Sequence, residues 1–308
     1  MPRDADRLYP MKTNLFAISF VVLAATVYAQ APQPDFSKVQ IKTTKISDNF
    51  YTLEGQGGTI GVLVGPDGIF MVDSEFAPLS EKIAAAIHQI SDKPIRFLVD
   101  THVHGDHTGG NANFARMGAT ILARDELRYR LAHPSPSANG TPGVPAPAEA
   151  LPVVTYEGPV TIHMDGEEVH LIPIRRAHTD GDTLVYFQNN DVLMTGDYFR
   201  SIQFPNIDRT NGGSLNGMLE GLGITIGMAG PNTKIVPGHG PMVNREAVVA
   251  QRDMILAIRA KVDTLVKEGK SVDEVIAANP TSDYPNIPNG STTSERFVRQ
   301  LYAELKTN

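Results

Sequence analysis

Four side chains able to ligate a metal, His102, His104, Asp106 and His107, stand within the six residues His102-Val103-His104-Gly105-Asp106-His107. Imidazole nitrogen and carboxylate oxygen are good donors for zinc and similar divalent ions. The chain has no cysteine, so thiolate sites, disulfide staples and cysteine nucleophiles are excluded and any such centre must use His with Asp or Glu. In an extended turn, residues two apart point the same way, so His102 and His104 can grip one ion together. Gly105 is expected to let the chain bend, turning Asp106 and His107 toward a second ion. The apolar run Phe97-Leu98-Val99 just before the motif would anchor the loop at the end of a buried strand.

More ligands are needed to close two sites. His178 lies in Arg176-Ala177-His178-Thr179-Asp180-Gly181-Asp182-Thr183, Asp197 follows the run Val192-Leu193-Met194-Thr195-Gly196, and His239 sits in Pro237-Gly238-His239-Gly240-Pro241. Each is a ligand-type residue at the end of a strand candidate. Strand ends converge at one edge of a sheet, which would bring these residues to the dense motif. His88, His133, His163 and His170 lack such a setting and carry no metal assignment.

Short β-branched and aromatic runs at Val39 to Thr44, Asn49 to Glu54, Thr59 to Val64 and Ile69 to Val72, separated by turn residues, predict an antiparallel meander. A helix is expected from Leu79 to Ile90, a strand from Arg96 to Val99, then helix, strand, helix over Asn111 to Arg116, Thr120 to Leu122 and Arg124 to Leu131. The second half repeats the theme, with strands at Val160 to His163, Glu168 to Ile174, Thr183 to Phe187, Val192 to Thr195 and Lys234 to Val236. Helices are expected at Leu215 to Met228, at Val243 to Lys267 before a Gly269 cap, after the capping box Ser271-Val272-Asp273-Glu274, and at Ser294 to Leu305. Meander plus helices, twice, predicts an α+β fold in four layers, an αββα sandwich. His133 to Pro152, dense in Pro, Ser, Ala and Gly, reads as a long surface loop.

His102-Val103-His104-Gly105-Asp106-His107 followed by Thr108-Gly109-Gly110-Asn111 resembles the signature of the metallo-β-lactamase superfamily. Asp73 in Met71-Val72-Asp73-Ser74, then His178, Gly196-Asp197 and His239, match its other motifs in order, over roughly Phe50 to Pro241. The resemblance implies two zinc ions per chain, or other divalent metals. His102, His104 and His178 would hold one, Asp106, His107 and His239 the other, and Asp197 would bridge them. Asp73 would support the metal loop from behind. It further implies a hydrolase in which a hydroxide shared by the two ions attacks a carbonyl, with Asp106 as the catalytic residue that orients it and passes a proton to the leaving group. The seven-ligand set is similar to that of glyoxalase II and the lactonases, whereas class B β-lactamases usually carry cysteine or serine at the Asp197 position. Arg200, Phe204, Asn206 and Arg209, just past Asp197, are candidates for substrate contact.

The fold hosts many reactions, so the substrate has to be argued separately. Lys12, the apolar run Leu15 to Ala25 and Val27-Tyr28-Ala29 read as a secretory signal ending at residue 29, with Met11 as the natural start and residues 1–10 as an upstream extension. A linker at 30–38 and a hydrolase domain at 39–308 follow. Export to the periplasm or beyond fits a substrate met outside the cytoplasm, such as a β-lactam or a lactone. No stable membrane insertion is expected once the signal is cleaved. A net charge of -7 argues against a nucleic-acid partner, which would need a basic face; the expected partner is a small-molecule substrate. Two alternatives stay open: a mononuclear iron oxidoreductase resembling the persulfide dioxygenases, and a thioesterase of glyoxalase II type.

Overall fold

Five consecutive residues, Gly68-Ile69-Phe70-Met71-Val72, are all buried, because this strand is covered on both faces. Its side chains alternate between two cores: Ile69 and Met71 enter one cluster, Phe70 and Val72 another. The same division runs through both sheets and generates the layers. The computed structural model describes residues 35–136, 140–288 and 290–306, and the proposed signal segment lies outside them.

The first sheet has seven strands in sequence order: β1 (Lys42–Lys45), β2 (Phe50–Glu54), β3 (Ile60–Gly65), β4 (Gly68–Val72), β5 (Ile95–Val99), β6 (Thr120–Arg124) and β7 (Val154–Tyr156). Strands β1 to β4 form the predicted antiparallel meander. From β4 to β7 the pairing is parallel. The second sheet contains β8 (Val160–Met164), β9 (Glu167–Pro173), β10 (Thr183–Phe187), β11 (Val192–Met194) and β12 (Lys234–Val236), in the order β12-β11-β10-β9-β8. It is antiparallel except for the parallel pair of β11 with β12.

Between the sheets, Phe50, Phe70 and Val99 of the first meet Val169, Phe187 and Met194 of the second. Helices α1 (Ser80–His88) and α3 (Asn111–Arg116) bury Ile83, Ile87 and Phe114 on the outer face of the first sheet. Helices α5 (Leu215–Met228), α6 (Arg245–Lys267), α7 (Val272–Ala277) and α8 (Ser294–Lys306) cover the second through Leu222, Ile255, Val275 and Phe297. The order helix, sheet, sheet, helix is the αββα sandwich. Ser271 and Glu274 make the predicted capping box of α7, and Asn244 caps α6, which begins at Arg245, two residues inside the expected start.

Several elements differ from expectation. Arg124, expected to open a helix, closes β6 instead, and α4 (Asp125–Ala132) starts after it. Phe36–Lys38, expected to be linker, forms a 3-10 turn whose carbonyls accept from Lys82 Nζ, and Phe36 packs on Phe76. Strand β7 was not foreseen; it is three residues long, with two exposed, so it carries no apolar run. Among the described residues no helix is long and apolar enough to cross a membrane.

Candidate metal centre

Every residue singled out in the sequence as a ligand lies just beyond a strand end or in the loop between two strands. His102 and His104 follow β5, and Asp106 and His107 lie in the single-turn α2 (Gly105–Thr108). His178 sits between β9 and β10, Asp197 in the 3-10 turn after β11, and His239 after β12. The fold brings all seven together in two adjoining groups: His102, His104, His178 and Asp197, and Asp106, His107 and His239. Asp197 lies at their junction, with Oδ2 3.8 Å from His102 Nε2, 3.7 Å from His178 Nε2 and 3.4 Å from His239 Nε2, and Oδ1 3.5 Å from His107 Nε2.

Each of four imidazoles has its second nitrogen engaged, which fixes the tautomer it presents to the centre. His178 Nδ1–H donates to the Asn206 carbonyl at 2.7 Å. His104 Nε2–H donates to Asp208 Oδ2 at 2.7 Å. His107 Nδ1–H donates to Asp73 Oδ2 at 2.7 Å. Thr101 Oγ1 donates to the same Asp73 oxygen at 2.8 Å, and so accepts from His102 Nδ1 at 3.1 Å. Asp73 therefore sits behind both groups, buried, at a left-handed φ of 62°, and also accepts from the Thr101 backbone N–H.

These tautomers leave His178 Nε2 and His104 Nδ1 facing each other at 2.9 Å, each presenting a lone pair. Two nitrogens this close need a proton or a metal cation between them, and a divalent ion held by both would meet the need. His102 Nε2 and Asp197 Oδ1 are likewise buried with no hydrogen-bond partner. Burial holds the His102 and His178 imidazoles neutral, His102 well below its ordinary pKa and His178 down to about 3, with the neighbouring histidines adding to the effect. Burial works against the charge on Asp197 and Asp106. Arg200 and the histidines outweigh it for Asp197, and His239 and His107 outweigh it for Asp106, so both carboxylates are held ionised. Neutral His102 and His178 beside ionised Asp197, with convergent unpartnered donors, fit a divalent cation. In the second group burial disfavours charge on His107 and His239, but Asp73, Asp106 and Asp197 outweigh it and raise both pKa values; a second cation would take the place of the proton so held.

Two glycines bring backbone against the centre. Gly58 donates its N–H to the Asp106 carbonyl at 3.0 Å, and a Cβ there would fall 2.1 Å from His107 Cε1. At Gly238 a Cβ would fall 2.0 Å from Asp197 Oδ1. Gly105 differs from expectation: its φ is not positive and a Cβ there meets open space, so the bend comes from the first turn of α2. The turn around Gly58 is tied down by Glu75, whose carboxylate accepts from the N–H groups of Gly55, Gln56 and Gly57 at 2.7, 3.1 and 2.9 Å.

The four residues expected to meet substrate all have partners within the protein. Arg200, 8% exposed, is paired with Asp197. Phe204 is buried and stacked on Phe297. The Asn206 side chain accepts from Gln300, and Arg209 pairs with Glu304 at 3.0 Å. On the His104 side, the centre instead adjoins a cavity of about 410 Å³ lined in part by Val103, Leu131, Pro134, Val144 and Ala146. The guanidinium at its edge, Arg130, is already bidentate on Asp180.

Four supporting residues were not singled out in the sequence. Glu75 and Asp208 act on partners 18 to 104 positions away. Asp182 accepts from the His178 and Thr179 backbone N–H groups and from Thr179 Oγ1, although burial outweighs these donors and raises its pKa to about 7. A Thr-x-x-Asp turn motif could have drawn notice to it. Arg124, 2% exposed, holds the loop carrying His178 by donating to the carbonyls of Asp180 and Ile174 at 2.7 and 3.3 Å. Arg124→Met is expected to lower the unfolding free energy by about 2–4 kcal/mol, because buried carbonyls lose their donor. Urea denaturation checks this, and an unchanged midpoint would refute it.

The sequence profile described as the metallo-beta-lactamase superfamily matches residues 53–266. Among curated proteins, the chain is 29% identical over 175 residues to the 2,4-dinitroanisole O-demethylase subunit alpha of Nocardioides sp., covering 55% of this chain and 48% of that one. It is 42% identical over 50 residues to a linear primary-alkylsulfatase of Pseudomonas sp., covering 16% and 10%. The chain thus spans about half of the first relative and a tenth of the second. Among solved structures it is similar to a metallo-beta-lactamase from Pontibacter korlensis, with a TM-score of 0.57 and 19% identity over 70% of this chain and 99% of that one. It is also similar to a stereoselective inverting sec-alkylsulfatase from Pseudomonas sp., with a TM-score of 0.64 and 17% identity over 85% and 50%. At these identities the structures speak for the fold alone.

Proposed function

The chain belongs to the metallo-β-lactamase superfamily, and we propose from that premise that it is an exported hydrolase using two zinc ions to open a cyclic ester or amide, a lactone or a β-lactam. The observation that carries the metal reading is the pair of imidazole lone pairs facing at 2.9 Å between His104 and His178, within a cluster of seven donors. His102, His104 and His178 would hold one ion, Asp106, His107 and His239 the other, with Asp197 shared. When bound, the ions supply a water acidified toward neutral pH and positive charge for the developing oxyanion.

The chain's own residues do the rest. Asp106 is less deeply buried than Asp197, its side chain 27% exposed, and its Oδ2 lies 3.2 Å from His239 Nε2. A carboxylate held this firmly ionised is a weak base. Its role is to accept a hydrogen bond from the attacking water, aim it, and carry the proton to the leaving atom. The cavity beside His104 mixes apolar residues with polar ones such as Ser135, Thr210 and Asn211, and its guanidinium is already neutralised by Asp180. That supports an uncharged ring as substrate over an anionic one.

Two results are expected. Metal determination on purified protein should give two zinc ions per chain, removed with activity by a chelator and restored with it; a single iron would favour an oxygenase instead. Of a lactone, a chromogenic β-lactam, a thioester, an aryl methyl ether and an alkyl sulfate, the zinc-loaded enzyme should turn over the cyclic substrates fastest. The ether and the sulfate bring in the chemistries named for the curated relatives, and a preference for either would displace the cyclic-substrate reading.

A further inference from the structure

One stretch of backbone orients two ligands of the same group. The carbonyl of Asn206 takes the Nδ1 proton of His178, and the carboxylate of Asp208 takes the Nε2 proton of His104, each at 2.7 Å. Both acceptors lie in the loop between Asp197 and α5. Asp208 is further held by Asn211, whose Nδ2 donates to it at 2.7 Å. The other group is oriented from elsewhere, since His107 leans on Asp73 at the end of β4.

The loop is itself seated on α8, beyond the segment that matches the superfamily profile. Gln300 clamps it with both ends of its amide: Nε2 donates to Asn206 Oδ1 at 2.8 Å, and Oε1 accepts from the Ile207 N–H at 3.1 Å. The Arg209–Glu304 pair and the Phe204–Phe297 stack, with ring centroids 5.9 Å apart, flank this clamp. The amide thus grips the side chain of Asn206 and the N–H of the next residue, while the carbonyl between those two points holds His178.

The geometry points to Gln300 as a positioning residue for the metal centre: α8 sets the affinity of the His102, His104 and His178 group by fixing the carbonyl that orients His178. This rests on the reading of the cluster as a metal centre. Removing a partner that orients a ligating histidine typically weakens metal binding 10- to 100-fold. Gln300 acts one residue further out, so a loss of about tenfold, the low end of that range, is expected.

The test is a titration of the metal-free full chain with Zn²⁺ in competition with a chromophoric chelator, alongside melting of the metal-free protein. In Gln300→Leu one of the two zinc equivalents should weaken about tenfold while the other keeps its wild-type constant. Gln300→Glu retains an acceptor for the Ile207 N–H and should fall between the two. Arg299→Ala, which breaks surface pairs with Glu295 on α8 and Asp273 on α7, should leave both constants unchanged. A lowered melting temperature in Gln300→Leu with both constants unaltered would show a merely structural role and overturn the inference, as would equal weakening of both equivalents. Wild-type protein taking up no metal would instead remove the reading on which the inference depends.

Discussion

Asp197→Ala is expected to cost both the metals and the fold of the bare protein. The carboxylate is fully buried and lies within 3.4–3.8 Å of four imidazole nitrogens, one from each of His102, His107, His178 and His239. It belongs to the first group and lies against the imidazoles of the second, so as the proposed shared donor its loss should weaken metal binding by more than about 100-fold, beyond what losing an orienting partner costs. The second effect comes from Arg200. Its guanidinium is 8% exposed and paired with Asp197, and without that partner it becomes a buried, uncompensated charge worth about 3–5 kcal/mol of instability. A double variant separates the two. Adding Arg200→Met to Asp197→Ala should recover most of the unfolding free energy and none of the metal affinity. Zinc titration and urea denaturation of the metal-free forms read these quantities. Wild-type metal affinity in Asp197→Ala would sink the assignment of Asp197 as the shared donor.

The second large effect is expected from a single methyl group. In Gly58→Ala the new Cβ would sit 2.1 Å from His107 Cε1 and 2.6 Å from both ring nitrogens. The ring cannot yield, since it is fully buried and Asp73 holds its Nδ1. The loop cannot yield cheaply either, because Gly58 is bonded to the Asp106 carbonyl and its three neighbours are bonded to Glu75. Overpacking of this kind costs about 1–3 kcal/mol. Displacing His107 should add a loss of kcat/KM of about 100-fold or more, the upper range for a disturbed ligand support. Gly105→Ala is the control. It lies inside the metal motif, yet its Cβ meets open space at an ordinary helical φ. There the substitution should leave turnover unchanged and add about 0.4–1 kcal/mol of stability by restricting the unfolded chain. A harmless Gly58→Ala, or a damaging Gly105→Ala, would mean that close approach does not decide which glycine matters.

That contrast shows where sequence reading reaches and where it stops. The dense motif, the outlying His178, Asp197 and His239, and the layered order of strands and helices were legible because each leaves a local mark: ligand types at close spacing, or apolar runs with a defined period. The need for glycine at 58 and its dispensability at 105 leave none, since both depend on what the fold brings within 4 Å. The parallel run from β4 to β7 was also hidden, because pairing direction is set by the connections. Arg200, Phe204, Asn206 and Arg209 were read as substrate contacts from their place after Asp197. Arg200 turns back onto Asp197, while the partners of the other three, Phe297, Gln300 and Glu304, lie about 90 positions further on. Residues that hold a site from behind are found through such long separations, and Glu75, Arg124 and Asp208 escaped notice for the same reason.

The turn at Gly55–Gly58 carries a kinetic consequence. Stitched to Glu75 and lying on His107, it has no slack with which to close over an arriving molecule. Recognition on that flank must therefore be rigid, with the shape present before encounter and no folding-over step to slow release. On the proposed reading this would favour compact rings that slot in directly. It would give up the breadth that a movable flap confers toward bulky substrates.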